Sequence, residues 1–367
     1  MKRKILLMEN DIWSLCNFRL GIIKKMIELG YEVHLSGIDN ENEKINNLKI
    51  YKHNLNIKSS SKNIIDDLRL SFEIFRLYWE IKPDYTLLYS IKPNIYGNFV
   101  AKILNIKTIS NVNGLGNVFM SANKTRKIVE LLYKLAFKHP TKIFFQNRDD
   151  MNLFLNSKLV EKEEVERIPG SGVNLKKFKP VKKQRNLEKI VFLLISRMIW
   201  TKGIKEYIEA AKILKIKGYK DVEFQLLGPL NVDNEEAIEK EYLDNNKRYI
   251  KYLGVSKDVR EEIRNSDCIV LPSFYREGVP KTLIEAASMG KPIITTDNVG
   301  CRDIVENNYN GFLVKIKNVE DLALKLEKFI KLSKKEKIRL GKNSRNKAEK
   351  EFDEEIIINK YKNLINK

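Results

Sequence analysis

The chain has 367 residues, 43% of them hydrophobic, and a formal net charge of +20. That length favours two domains, no apolar run approaches the roughly 18 residues of a membrane-spanning helix, and no secretory signal follows Met1, so a cytoplasmic protein is expected. Three scattered cysteines, Cys16, Cys268 and Cys301, make neither a disulfide framework nor a metal cluster, and without recognised nucleic-acid signatures the charge points to an anionic membrane or substrate ahead of DNA or RNA.

Lys4–Met8 is predicted as a first strand, Phe18–Leu29 as a helix stopped by Gly30, and Tyr31–Ser36 as the next strand. Such a βαβ unit builds doubly wound sheets. The loop it leaves over Glu9–Asn17 lacks the GxGxxG fingerprint, so a dinucleotide cofactor is not indicated. Apolar residues at 64, 68, 72, 75 and 79 follow helical spacing, and Phe75 and Trp79 are expected in the core. Asp84–Tyr89, Lys107–Val112 and Lys142–Phe145 then read as strands, and their alternation with helices predicts a parallel α/β sheet.

Two loops at predicted strand ends stand out, Ser90–Gly97 and Asn111–Gly116. Lys92 in the first is placed to meet a phosphate or developing negative charge, although a solvated lysine fits the same pattern. Gly114 and Gly116 permit tight turns near a ligand. Asn123–His139 is predicted as an amphipathic helix, with Lys127, Lys134 and Lys138 on one side and Ile128, Leu132, Leu135 and Ala136 toward another. A basic flank beside an apolar face suits an anionic membrane, and equally a helix packed on a sheet with its lysines outward.

Composition turns polar over about 170–188, where the domain boundary is expected. Lys189–Ile195 reads as a buried strand, and the loop after it carries Arg197 and Lys202 before a helix running to about Lys217. Two cations in a strand-to-helix loop can clamp a diphosphate; a basic surface loop is the plainer reading. Val222–Leu227, Tyr249–Leu253, Cys268–Leu271, Pro292–Thr295 and Gly311–Val314 continue as strands, with helices at Val319–Lys331 and Lys334–Glu351. A last helix, Glu354–Asn366, is expected to return to the first domain.

The stretch Ser273–Gly290 joins a strand to a helix predicted over Lys281–Met289, with Glu277 in its loop and Glu285 on the helix. Unpaired N–H groups and the positive end of the helix dipole lie between those carboxylates. That combination suits a ligand with a phosphate end and a hydroxyl-rich end, and it equally suits a capped surface helix.

Taken together, Arg197 and Lys202–Gly203 with Glu277-Gly-Val-Pro and Glu285-Ala resemble the retaining GT-B glycosyltransferases of nucleotide-sugar family 4. The resemblance covers nearly the whole chain, including Gly172-Val-Asn to Pro180 and Gly300 to Val314. It implies two Rossmann-like domains facing across a cleft, residues 1–175 on the acceptor side and 189–352 holding the nucleotide sugar, with 353–367 as the returning helix. It implies that Arg197 and Lys202 hold the donor diphosphate, that Glu285 binds the ribose and that Glu277 lies by the donor sugar. Gly278, Val279, Pro280, Lys281 and Val255 would complete the donor set. Asn113, Gly114, Gly116 and Asn94 would lie on the acceptor or sugar side.

Many relatives carry histidine where this chain has Ile91, and the Lys-Pro-Asn form here resembles a narrower subgroup acting on polyprenyl-diphosphate-linked sugars. This places Lys92 among the expected catalytic residues with Glu277, Arg197 and Lys202. The expected reaction moves a sugar, an N-acetylhexosamine such as GalNAc, from a UDP-sugar to an undecaprenyl-diphosphate-linked saccharide. No metal or other cofactor is expected, and no nucleic acid. Peripheral contact with the inner, anionic face of the cell membrane is. The alternatives are a lipopolysaccharide-core or soluble acceptor, or a non-catalytic nucleotide-sugar binding protein.

Overall fold

Two all-parallel sheets follow from the alternation of apolar strands with helices. The computed structural model describes residues 2–40, 43–58, 61, 63–119, 124–181, 189–230, 234 and 236–366. The chain divides into two units, Met1–Gly172 with Glu354–Lys367, and Val173–Asp353.

The first unit runs β1 (Lys4–Asp11), α1 (Ile12–Phe18), α2 (Leu20–Glu28), β2 (Glu32–Ile38), β3 (Ile50–Asn54), α3 (Ile64–Ile81) and β4 (Tyr85–Tyr89). It continues with α4 (Asn98–Leu104), β5 (Lys107–Val112), α5 (Lys124–Ala136), β6 (Lys142–Phe145), α6 (Arg148–Asn156) and β7 (Val165–Arg167). Its seven strands are ordered β3-β2-β1-β4-β5-β6-β7, so the order reverses between β1 and β4. In such a sheet ligands gather outside the carboxyl ends at that reversal.

Several expectations are corrected here. Glu9–Asn17 is not a loop: β1 runs on to Asp11, whose side chain accepts from Ser14 N and caps α1. The helix expected over Phe18–Leu29 breaks at Arg19 and resumes at Leu20. β3 and β7 were not anticipated, because short strands with few apolar residues give little periodic signal. Ser90–Gly97 is likewise not an open loop, since a π-helical turn over Pro93–Gly97 leads straight into α4. Trp79 is not in the core but 63% exposed, and Phe75 is half-buried. The core side of α3 is instead Leu70, Ile74, Leu77, Tyr78 and Ile81. On α5 the lysines and apolar residues do not take opposite sides. Tyr133 and Ala136 fill the buried side, leaving Ile128 and Leu135 exposed alongside Lys127 and Lys134. Asn123 lies outside the described residues, as do 182–188 of the expected boundary.

The second unit runs β8 (Ile190–Ile195), α7 (Ile204–Ile216), β9 (Val222–Leu227), α8 (Lys240–Asp244), β10 (Lys251–Tyr252), α9 (Arg260–Asn265) and β11 (Cys268–Leu271). Then come α10 (Lys281–Ser288), β12 (Ile293–Thr296), β13 (Gly311–Val314), α11 (Val319–Lys331) and α12 (Lys334–Glu351). The strand order β10-β9-β8-β11-β12-β13 reverses between β8 and β11. β10 is only two residues long, against the five expected; it is the edge strand of its sheet, and one of its two residues is the exposed Lys251. After α12 the chain returns to the first unit as α13 (Glu354–Ile365), which buries Ile357, Ile358, Tyr361 and Ile365 in the cluster beneath α1 and α2. Each unit is thus a Rossmann-like doubly wound domain, and two such domains are what the GT-B resemblance implies.

Candidate functional site

In the second unit the reversal of strand order sets β8 beside β11, so the loops that follow them are neighbours. Their backbones are tied together. The Thr201 carbonyl accepts from Phe274 N at 2.9 Å, Tyr275 N at 3.1 Å and the Ser273 hydroxyl at 3.3 Å. Gly203, which opens α7 at φ +76°, lies so close to Pro272 that an added Cβ would stand 2.8 Å from Pro272 Cγ. Only a residue without a side chain fits that approach, and it fixes the preceding Lys202.

Lys202 donates to the Glu277 carboxylate, which also accepts from the Ser273 hydroxyl at 2.9 Å. Both side chains of the pair are 11% exposed, so the interaction is weakly screened yet still reachable. The Lys202 ammonium lies 5.1 Å from the centre of the Tyr275 ring. Arg197, by contrast, is exposed, and no carboxylate among the described residues pairs with it.

A third loop, after β12, supports the β11 loop from below. Asn298 Nδ2 donates to the Tyr275 carbonyl at 2.8 Å, and the Thr296 hydroxyl donates to the Ser273 carbonyl. Gly300, at φ +78°, has no room for a side chain because the Gly278 and Glu277 carbonyls occupy the space. Gly278, Val279 and Pro280 are buried and lead into α10, where Pro280 contributes no side-chain cap. Lys281 opens that helix half-buried, and Glu285 stands one turn further on, 8% exposed. Beneath them, burial pushes the Cys301 thiol up to about 12, with the Glu277 charge adding to it, so this thiol is no nucleophile. Val255 is exposed just past β10, at the same end of the sheet.

The first unit carries a second polar cluster at its own reversal point. Glu9 is 5% exposed on β1. Its Oε1 accepts from the Ser90 hydroxyl and from Asn10 N at 3.2 Å, and its Oε2 accepts from Asn113 Nδ2 at 3.1 Å. Asn113 Oδ1 in turn accepts from Arg19 Nη2 at 2.7 Å and Gln146 Nε2 at 3.0 Å. One carboxylate thereby joins the ends of β1, β4 and β5. Burial raises the Glu9 carboxyl, opposed by the Ser90 hydrogen bond and the Arg19 charge. Arg19 is itself buried, its guanidinium 4.4 Å from the Tyr89 ring centre, with Nε and Nη1 lacking hydrogen-bond partners. Ser90 holds φ at 65°, a left-handed conformation uncommon outside glycine and concentrated at functional sites.

Lys92 donates to Asp67 on α3 at 2.8 Å, so any ligand must exchange with that partner. Asn94 is fully buried and donates to the Asn111 carbonyl at 2.9 Å, bracing the π-helical turn on β5. Gly114 and Gly116 follow Asn113, both half-buried. Sequence reasoning missed Glu9, Arg19, Ser90 and Gln146. A polar Glu9-Asn10 at the close of an apolar strand, and an arginine set among apolar residues, were the available signals. Among the described residues no group of three or more His, Cys, Asp or Glu is placed to hold a metal.

Comparison with known proteins adds three findings. Residues 176–347 match the family described as glycosyl transferases group 1, and residues 4–147 match the family described as glycosyl transferase 4-like. The chain is 32% identical to a Campylobacter jejuni N,N'-diacetylbacillosaminyl-diphospho-undecaprenol alpha-1,3-N-acetylgalactosaminyltransferase, over 96% of this chain and 95% of the relative. An Escherichia coli UDP-Gal:alpha-D-GlcNAc-diphosphoundecaprenol alpha-1,3-galactosyltransferase is 26% identical over 82% and 80%. Among solved structures, a Rickettsia africae glycosyltransferase aligns with a TM-score of 0.77 at 21% identity over 99% of this chain and 98% of its own. Anabaena HepE in complex with UDP and glucose aligns with a TM-score of 0.78 at 17% identity over 99% of each chain. At those identities the two structures speak to the fold alone.

Proposed function

We propose a reaction from a fixed premise: the chain belongs to the group 1 glycosyl transferases and has the GT-B fold. It is a retaining glycosyltransferase of bacterial surface-polysaccharide or glycan assembly. It moves a sugar from a UDP-sugar to an undecaprenyl-diphosphate-linked saccharide. The observation that carries the donor side is the adjacency of β8 and β11, which sets the loop of Arg197 and Lys202 beside the loop of Glu277.

The chemistry follows from charge. When the bond from the sugar to the phosphate breaks, its electron pair goes to the leaving diphosphate oxygen. Lys202, held by Glu277, and the exposed Arg197 are the cations that neutralise it, so the reading calls on no metal. Glu285 takes the ribose hydroxyls, and Glu277 addresses the sugar while holding Lys202 in place. Gly278, Val279 and Lys281 bring backbone N–H groups to sugar and phosphate, Pro280 sets the backbone that enters α10, and Val255 flanks the nucleotide. In the first unit Asn113, Gly114 and Gly116 address the acceptor. Asn94 and the π-helical turn shape that side, and Lys92 exchanges Asp67 for a substrate anion.

The donor sugar is an N-acetylhexosamine, for which the support is the name of the Campylobacter relative. The enzyme works at the inner membrane face, attached peripherally through its basic charge. No helix among the described residues is long and apolar enough to cross a bilayer. The test is UDP release across a panel of UDP-sugars with an undecaprenyl-diphosphate-linked acceptor. Lys202→Ala and Glu277→Ala each lower turnover by about 100-fold or more with the fold intact by circular dichroism. Normal turnover by both variants overturns the site.

A further inference from the structure

Helix α3 is apolar on two sides. Its core side is filled, yet Ile64, Leu68, Phe72 and Trp79 stand 74%, 65%, 64% and 63% exposed. Their spacing of four, four and seven residues lines them along one side of the helix, with half-buried Phe75 between them. Lone exposed apolar residues are ordinary, but a continuous stripe on a helix marks an interaction surface.

The neighbouring helices extend it. α3, α4 and α5 cover the same face of the first sheet, since each follows a crossover running in the same direction across it. Ile103 on α4 is 73% exposed, and Leu131 on α5 is exposed as well. Cations border the apolar ground: Arg69 and Arg76 on α3, Lys102 on α4, and Lys127, Lys134 and Lys138 on or just past α5 are all exposed. Of the acidic side chains of these helices, Asp66 pairs with Lys58, Asp67 with Lys92 and Glu130 with Arg126, which leaves Glu73 and the exposed Glu80 on α3 against the six cations just named.

We propose that this outer face of α3, α4 and α5 is where the protein lies on an anionic lipid bilayer, with the stripe of α3 inserted among the acyl chains and the cations on the headgroups. The proposal rests on the reading that the acceptor is lipid-borne, and it moves the apolar anchor from α5, where the sequence placed it, to α3. Charge decides the occupant. A second copy on this face would bring two cationic surfaces together, whereas an anionic bilayer offers both an apolar interior and complementary charge. α3 is 18 residues long, about 27 Å, and lies in the membrane plane without crossing it.

The test uses the full chain and vesicles of phosphatidylglycerol and phosphatidylcholine, beside vesicles of phosphatidylcholine alone. The wild type sediments with the anionic vesicles at low salt and is released at about 1 M salt, where the screening length falls to about 3 Å. The double variant Phe72→Ser/Trp79→Ser loses about 100-fold in partitioning, roughly tenfold for each ring. It keeps its melting temperature and its rate of UDP release with a water-soluble diphosphate-linked acceptor, because both side chains are exposed. Failure of the wild type to bind anionic vesicles overturns the proposal. So does unchanged binding by the variant, or a wild-type dimer that the variant dissociates. Absence of UDP release by the wild type with the soluble acceptor defeats the reaction reading alone and leaves the docking result to be judged by itself.

Discussion

Exchanging Glu9 and Asn113 tests the logic of the buried cluster in the first unit. Both oxygens of Glu9 act as acceptors, one for Asn10 N and Ser90 Oγ, the other for Asn113 Nδ2. Glutamine at position 9 therefore opposes a donor to a donor in either amide orientation, although its shape is unchanged. One mismatched hydrogen bond in a buried site costs about 1–3 kcal/mol. For a unit of this size that lowers its melting point by about 4–8 °C, taking ~2 kcal/mol and 2–4 °C per kcal/mol. Asn113→Asp alone is also destabilising, since it sets a second carboxylate against Glu9. In the double variant Glu9→Gln/Asn113→Asp the glutamine amide donates to the new carboxylate. The other carboxylate oxygen still accepts from Arg19 and Gln146, and net charge is conserved. Calorimetric melting of the four proteins should place both single variants below wild type and the double variant within about 2 °C of it. A Glu9→Gln protein that melts with wild type, or a double variant no better than the worse single one, refutes the assigned donor and acceptor directions.

Gly300→Ala should disrupt the donor loop. The left-handed backbone alone costs about 1–2 kcal/mol, and the new Cβ would stand 2.8 Å from the Glu277 carbonyl, so turnover should fall about 100-fold through displacement of Glu277. Wild-type turnover would show that the loop yields without cost. Glu327 is held down to about 2 by hydrogen bonds from Lys217, Lys331 and Tyr219. Its contribution to stability is present above the ordinary carboxylate value and is lost as pH falls toward 2. Glu327→Gln should accordingly flatten the acid limb of the stability curve between about pH 4.5 and 2, and an unchanged limb counts against the pairing.

Much of the architecture is legible in the sequence because buried parallel strands such as Ile190–Ile195 are short apolar runs bounded by polar loops. Residues at their ends, Arg197, Lys202 and Glu277 among them, then fall at one edge of a sheet by topology alone. Two things are not legible. Periodicity finds a stripe on α3 but does not say which side faces the core, and α3 has an apolar stripe on each side, so Trp79 was assigned inward. The Glu9 cluster joins residues 81 and 104 positions apart, and nothing local in the chain announces such a partnership. Ser90 gives still less sign, since its left-handed backbone is imposed by the packing around it.

The return of α13 to the first unit bears on how the protein is made. Ile357, Ile358, Tyr361 and Ile365 complete the hydrophobic cluster under α1 and α2, yet they emerge from the ribosome after the whole second unit. At about 5–20 residues per second, the first unit waits roughly 10–40 s with that apolar surface uncovered. The unit translated first is thus the last able to finish folding, and during that interval its open face is a natural substrate for chaperones.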